Sequence, residues 1–264
     1  MHGLGNDFIV IDDLNGPVQV ISTELAKMLC DRRFGVGADQ ILWLKRPHET
    51  SLDTRMEILN ADGSTAEMCG NGIRAVALYL RDHAESAGVA RKSEYSIETL
   101  AGVIRVILRG DEVEVDMGQP ALGQGVVQGG EVISVGGQDF KFFEVSMGNP
   151  HAVIFSENVD LVPLEQIGPQ IETHARFPKK TNVEFVQVVD PHTIRIRVWE
   201  RGAGVTLACG TGACASAVAS LTTGQVKSPV KVKLPGGNLE ISWSGATVKM
   251  TGPATEVFSG VYHF

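Results

Sequence analysis

The sequence predicts an α+β (α/β) protein of two pseudo-symmetric domains. Three observations carry that prediction: an internal repeat, a helix pattern after each of two Cys-Gly-x-Gly turns, and strand patterns around both. The repeat is plainest where Cys69-Gly70-Asn71-Gly72-Ile73-Arg74-Ala75-Val76-Ala77 returns 140 residues later as Cys209-Gly210-Thr211-Gly212-Ala213-Cys214-Ala215-Ser216-Ala217. Gly5-Asn6, ahead of an apolar run, returns at an offset of 143 as Gly148-Asn149. Between and after these blocks, Gln40 before Ile41-Leu42 answers Asn182 before Val183, and Gly102 before Val103-Ile104 answers Gly237 before Leu239. Four blocks in one order at nearly one offset mean two copies of one fold.

Along the chain, Ser22 to Cys30 reads as an amphipathic helix with Ser22 or Thr23 as its N-cap. A second helix starts near Gly70, because Ile73, Val76, Ala77 and Leu80 recur at helical spacing. Strands follow over Val103 to Leu108 and the alternating Glu112 to Asp116, with the turn Arg109-Gly110-Asp111 between them. Phe140 to Val145, Val183 to Val189, Ile194 to Val198 and Leu239 to Trp243 are the strands of the second half, and Pro235-Gly236-Gly237 marks a turn. Pro163 to Glu172 is another amphipathic helix, with Pro163 near its start. Ala213 to Ala219 is small or apolar on every side, as in a central helix enclosed by other elements. The domain boundary falls near Gly118-Gln119-Pro120, giving domains 1–117 and 118–256.

Of the 264 residues, 43% are hydrophobic and 20% charged, the balance of a folded globular chain. A net charge of −8 disfavours nonspecific binding to nucleic acid, so an anionic ligand needs local donors. No stretch is apolar enough to span a bilayer, and the start lacks a basic region followed by an apolar one, so a cytoplasmic protein with no membrane partner is expected. Cys30, Cys69, Cys209 and Cys214 form neither a disulfide framework nor a C-x-x-C pair, and no metal site is expected.

Cys69 and Cys209 each stand at a helix start, where unpaired N–H groups and the dipole stabilise a thiolate by up to about 2 kcal/mol. One pKa unit is about 1.4 kcal/mol, so that pull alone could bring a thiol from about 8.5 close to neutrality. Two-fold related halves would set the two cysteines on opposite walls of one cleft between the domains. Inverting a tetrahedral carbon needs that geometry, a base on one face and an acid on the other. A thiol is monoprotic, so a thiol and a thiolate simply exchange roles when the reaction reverses. The neighbouring glycines admit a substrate close to the backbone, whose N–H groups can cradle a carboxylate. Carbanion formation is then supported by two helix ends, and no pyridoxal phosphate or other cofactor is inferred. Cys30 and Cys214, in apolar and small-residue helix patterns, read as packed thiols.

Met1-His2-Gly3-Leu4-Gly5-Asn6-Asp7-Phe8, Asn60-Ala61-Asp62-Gly63-Ser64, Met68-Cys69-Gly70-Asn71-Gly72, Gly148-Asn149-Pro150-His151, Trp199-Glu200-Arg201-Gly202 and Ala208-Cys209-Gly210-Thr211-Gly212 together resemble the diaminopimelate epimerases over nearly the whole chain. The resemblance implies interconversion of LL- and meso-diaminopimelate for lysine and peptidoglycan, without cofactor or metal, by a homodimer. It implies that each domain wraps a mixed sheet or barrel around a central helix, and that residues 257–264 return to the first domain as a last strand. Cys69 and Cys209 match the acid/base pair. Gly70, Asn71, Gly210 and Thr211 match contacts to the reacting carboxylate, and Asn6, Gln40, Asn60, Asn149 and Asn182 match substrate-binding amides. Arg201 looks like the partner of the distal carboxylate and Glu200 that of the distal ammonium, while His151 and Glu200 match positions that tune the thiols. The family carries a short strand ahead of its first block, and here Met1 directly precedes His2, through a trimmed start or a shorter sheet edge.

Two other readings share parts of this pattern. A proline racemase or hydroxyproline epimerase uses the same two-cysteine logic, but its substrate lacks the distal groups that Glu200 and Arg201 would meet. A thiol redox or amino-acid-binding protein would pair the cysteines reversibly and never exchange an α-proton.

Overall fold

The computed structural model describes residues 1–16 and 20–263, with the backbone alone at Val127. The chain divides into two compact units, Met1–Asp116 with Gly252–Phe264, and Met117–Thr251.

In the first unit, β1 (His2–Gly3) and β2 (Asn6–Asp13) are followed by α1 (Thr23–Cys30), β3 (Gln40–Lys45), β4 (Thr54–Asn60) and β5 (Thr65–Ala66). Then come α2 (Gly70–Asp82), a single turn α3 (Ala84–Ala87), β6 (Glu94–Thr99), β7 (Gly102–Arg109) and β8 (Glu112–Asp116). The second unit opens with β9 (Ala121–Leu122), a short α4 (Gln124–Val127), β10 (Glu131–Val135) and β11 (Gln138–Ser146). It continues through β12 (Pro150–Phe155), α5 (Leu164–Glu172), β13 (Asn182–Asp190), β14 (Thr193–Glu200), β15 (Gly204–Val205), α6 (Gly210–Thr222), β16 (Val230–Leu234), β17 (Gly237–Ser242) and β18 (Lys249–Pro253), whose last two residues already belong to the first unit.

From β2 to β8 and from β12 to β18 the pairing pattern is the same. β2 runs parallel to β3 as β12 does to β13, and β3 is antiparallel to β4 as β13 is to β14. β4 lies parallel to β6, and β14 to β16, with antiparallel hairpins after each. Even the registers correspond: Phe8 faces Gln40 in the first unit, and His151 faces Asn182 in the second. The repeat in the sequence is thus a repeat of topology.

Each unit has a mixed sheet with an outer helix on one face and a longer helix on the other, as the two-residue period of the strands requires. On β3, Ile41 and Trp43 join Ala26, Leu29 and Cys30 of α1 in one apolar cluster, while Leu42 points the other way, toward Gly72 of α2. On β13, Val183 and Phe185 pack with Leu164 and Ile171 of α5, and Glu184 points toward Gly212 of α6. α6 packs against β11, β12, β13, β14, β16 and β17, and its residues Gly212 to Ser220 are all buried. A helix so enclosed cannot be amphipathic, which explains its small and apolar residues on every side.

α1 begins at Thr23 with Ser22 as its N-cap, the Ser22 hydroxyl accepting from Leu25 N at 3.2 Å. The strand expected over residues 257–264 is not formed: residues 256–263 carry no regular element, and residue 264 lies outside the described residues. The returning segment joins the first unit earlier, where His2 and Thr255 exchange two backbone hydrogen bonds of 2.9 Å. Past that pair the chain lies along no strand, and Val257, Phe258 and Val261 stay exposed. Among the described residues no helix is long and apolar enough to cross a membrane.

Candidate active site

Cys69 is the N-cap of α2. Its backbone is extended and its Sγ accepts from Gly72 N at 3.3 Å, the bond an N-cap side chain makes. The Gly72 N–H, one of the first-turn donors that a helix leaves without an intrahelical carbonyl, is satisfied in this way. The Cys69 thiol also donates to Asn6 Oδ1 over 3.7 Å, and Asn71 Nδ2 donates to the same oxygen at 3.4 Å.

Two groups that the sequence did not mark hold this arrangement. Arg74 is fully buried one turn into α2 and donates to Gly70 O and Asn71 Oδ1 at 2.9 Å, and to Pro253 O at 3.2 Å. It ties the helix start to the returning segment. Asp39 accepts from Asn6 Nδ2 at 2.7 Å and is bridged by Arg32 to Asp7, which holds the Asp7 carboxyl below the ordinary range against the opposing effect of burial. Beside them, Gln40 Nε2 donates to Asn60 Oδ1 at 2.8 Å and Asn60 Nδ2 to Ser64 Oγ at 2.9 Å. The Gln40 side-chain oxygen is buried with no hydrogen-bond partner among the described residues.

In the second unit Cys209 caps α6 in the same way, accepting from Gly212 N at 3.3 Å. Thr211 takes the place of Asn71, its Oγ1 lying 3.6 Å from Cys209 Sγ and accepting from Asn149 Nδ2 at 3.3 Å. His151 lies behind, with Nε2 3.0 Å from Asn149 Oδ1 and Nδ1 2.7 Å from Glu184 Oε1. An unbroken polar chain therefore runs from a buried carboxylate to the Cys209 sulfur. Asn182 Nδ2 donates to Pro150 O, and its Oδ1 accepts from Arg201 N, each at 2.9 Å. Glu200 accepts from the Thr206 hydroxyl, and the Arg201 guanidinium reaches the carbonyl of Lys179 at 3.4 Å.

The halves match in geometry and differ in charge. A Cβ placed on Gly72 would meet Leu42 at 2.9 Å, whereas one on Gly212 would meet Glu184 Oε1 at 2.7 Å. His151 and Glu184 occupy the positions of Phe8 and Leu42, and Glu200 that of Asn60. At either glycine a side chain would force the group beneath the cysteine to shift. Burial pushes the Cys209 thiol well above the usual range, and the carboxylates of Glu200 and Glu184 push it further. The Thr211 hydroxyl and Gly212 N–H oppose that without reversing it. Burial and two nearby carboxylates thus act on Cys209 against the pull expected at a helix start. Glu200 itself is raised by burial, partly offset by hydrogen bonds from Thr206 and Cys209. Cys30 and Cys214 are packed in the interior, and burial raises the Cys30 thiol.

The family model described as diaminopimelate epimerase matches residues 1–123 and 143–257. The chain is 50% identical over 273 residues to "Diaminopimelate epimerase 1" of Nostoc sp., covering 98% of this chain and 96% of the relative. It is also 50% identical to the diaminopimelate epimerase of Carboxydothermus hydrogenoformans, covering 99% and 97%.

The chain belongs to the diaminopimelate epimerase family.

It is accordingly an isomerase that interconverts LL- and meso-diaminopimelate, a step of lysine biosynthesis. Solved structures extend the fold beyond that family. A phenazine biosynthesis protein of the PhzF family from Bacillus anthracis superposes with a TM-score of 0.71 at 14% identity, covering 96% of this chain and 92% of that one. A probable proline racemase from Agrobacterium radiobacter gives 0.70 at 17% identity, covering 96% and 88%. These likenesses speak for the fold alone.

Proposed function

We propose that epimerisation proceeds by two-base proton transfer without a cofactor, Cys69 and Cys209 addressing the α-carbon from its two faces. The observation that carries this reading is that both cysteines cap equivalent helices with the same hydrogen bond to the third helical N–H, 3.3 Å in each case. A thiolate takes the α-proton, and the electron pair left behind spreads into the adjacent carboxylate. The first-turn N–H groups at Gly70 and Asn71, and at Gly210 and Thr211, stabilise that charge as it grows. The opposite thiol delivers a proton to the other face, becomes the thiolate, and the new configuration is set. Proton exchange with solvent restores the starting state.

On this reading Asn6, Gln40, Asn60, Asn149 and Asn182 orient the substrate through their amides. Arg201 grips the distal carboxylate, Glu200 meets the distal ammonium, and His151 and Glu200 set the proton affinity at Cys209. Burial, with the carboxylates of Glu200 and Glu184, favours a protonated Cys209 in the free enzyme. The protein is read as a cytoplasmic homodimer, and the exposed Val257, Phe258 and Val261 favour self-association.

The acid role of Cys209 is tested by its own titration, followed by thiolate absorbance at 240 nm as the difference between Cys69→Ala and Cys69→Ala/Cys209→Ala proteins. A carboxylate beside a thiol opposes its ionisation. Glu200→Gln should therefore move the Cys209 titration to lower pH. An unmoved or raised midpoint would remove Glu200 from this role.

A further inference from the structure

Glu172 is the last residue of α5 and is buried, although the negative pole of a helix C-terminus disfavours a carboxylate there. Its oxygens are turned away from the helix. Oε2 accepts from the Trp199 indole at 2.7 Å, and Oε1 accepts from Gly202 N at 3.1 Å with Lys180 Nζ 3.4 Å away. Burial opposes its charge, and these donors outweigh burial, holding the carboxyl below its ordinary range. Trp199 and Gly202 flank Glu200 and Arg201, so one carboxylate holds both ends of the turn that carries them. The Trp199 side chain packs against α5, where a Cβ on Gly168 would come within 2.7 Å of its ring. Asn182 fixes the middle of the turn through Arg201 N.

The other half of the repeat supplies a control. Its outer helix α1 ends on Cys30, and the strand residue corresponding to Trp199 is Leu59, which packs with Cys30 in an apolar cluster. Among the described residues no carboxylate–indole pair holds the corresponding turn after Asn60; the indole–carboxylate bond of the first unit, Trp43 to Asp13, lies elsewhere on its sheet.

We propose that Glu172 is a specificity-positioning residue that, with Trp199, fixes the Glu200–Arg201 turn and so sets the preference for a substrate bearing a second carboxylate and ammonium. The proposal rests on the reading of Arg201 as the partner of the distal carboxylate.

The test is a double-mutant cycle on kcat and KM for LL-diaminopimelate with Glu172→Ala, Arg201→Ala and both together. Glu172→Ala should raise KM about tenfold, the scale of one displaced charge-assisted hydrogen bond, and lower kcat by less. In the Arg201→Ala background the same change should raise KM by a clearly smaller factor, because of the two groups the turn positions only Glu200 remains. Trp199→Phe, which keeps the ring and removes one donor, should shift KM in the same direction by a smaller factor, and thus tests the clamp even if Glu172→Ala folds poorly. An unchanged KM in folded Glu172→Ala, or effects that multiply fully with Arg201→Ala, would overturn the proposal. A normal KM in Arg201→Ala would instead overturn the assignment of Arg201.

Discussion

Replacing either Cys69 or Cys209 with alanine is expected to lower kcat/KM for diaminopimelate by at least about 10³-fold, within the range that positioned acid and base groups supply. On the proposed two-base reading each face of the carbon has one group to take or give the proton, so neither thiol can replace the other. Alanine also deletes the N-cap acceptor that Gly72 or Gly212 donates to, a loss of about 1 kcal/mol in stability. Serine keeps a capping oxygen but its hydroxyl does not ionise in the working range. The serine proteins should therefore melt close to the parent while remaining inactive, separating chemistry from folding. A single-cysteine variant that keeps more than about a tenth of the activity would mean another group serves that face.

Arg201→Ala is expected to raise KM for diaminopimelate by about 10²-fold, since a charged hydrogen-bonded pair is worth about 1.5–3 kcal/mol. The Arg201 backbone is pinned by Asn182, and among the described residues its guanidinium hydrogen-bonds only Lys179 O, at 3.4 Å, which leaves most of its donors for a ligand. Arg201→Lys should recover only part of the loss, because an ammonium cannot form two parallel bonds to a carboxylate. Steady-state kinetics of the two variants, with kcat and KM separated, checks both statements. Equal KM for the parent and the alanine variant would show that the distal carboxylate is bound elsewhere.

The repeat was legible because Cys-Gly-x-Gly and Gly-Asn are local patterns, and the structure turns each into the same local geometry in both units. The enclosed helix α6 was legible for a similar reason, as its composition excludes a solvent face. The groups that hold the half-sites were not. Arg74 reads as a helix surface residue until Pro253, 179 positions away, is seen to accept its Nε–H. Glu184 gave a signal in principle, being a carboxylate between the apolar Val183 and Phe185 on a buried strand. Its meaning depends on His151, which only the parallel pairing of β12 and β13 brings beside it. The same holds for Glu172, whose position at the wrong end of a helix was visible while its partners Trp199 and Gly202 were not. The environment of Cys209 was hidden for a related reason: capping is local and visible in Cys-Gly-x-Gly, whereas burial, which pushes the thiol up, is set by the whole unit.

The most direct test of two-base catalysis follows LL-diaminopimelate in deuterated water under reducing conditions, without added cofactor, by proton NMR and mass spectrometry at low conversion. The account predicts that the meso product carries deuterium at the inverted carbon from the first time points, while unreacted LL substrate keeps its α-proton. The new proton comes from the thiol on one face, and the abstracted one stays with the thiol on the other. Deuterium entering substrate and product equally from the start would mean one base serves both faces and would contradict the account, as would meso product formed with its original proton.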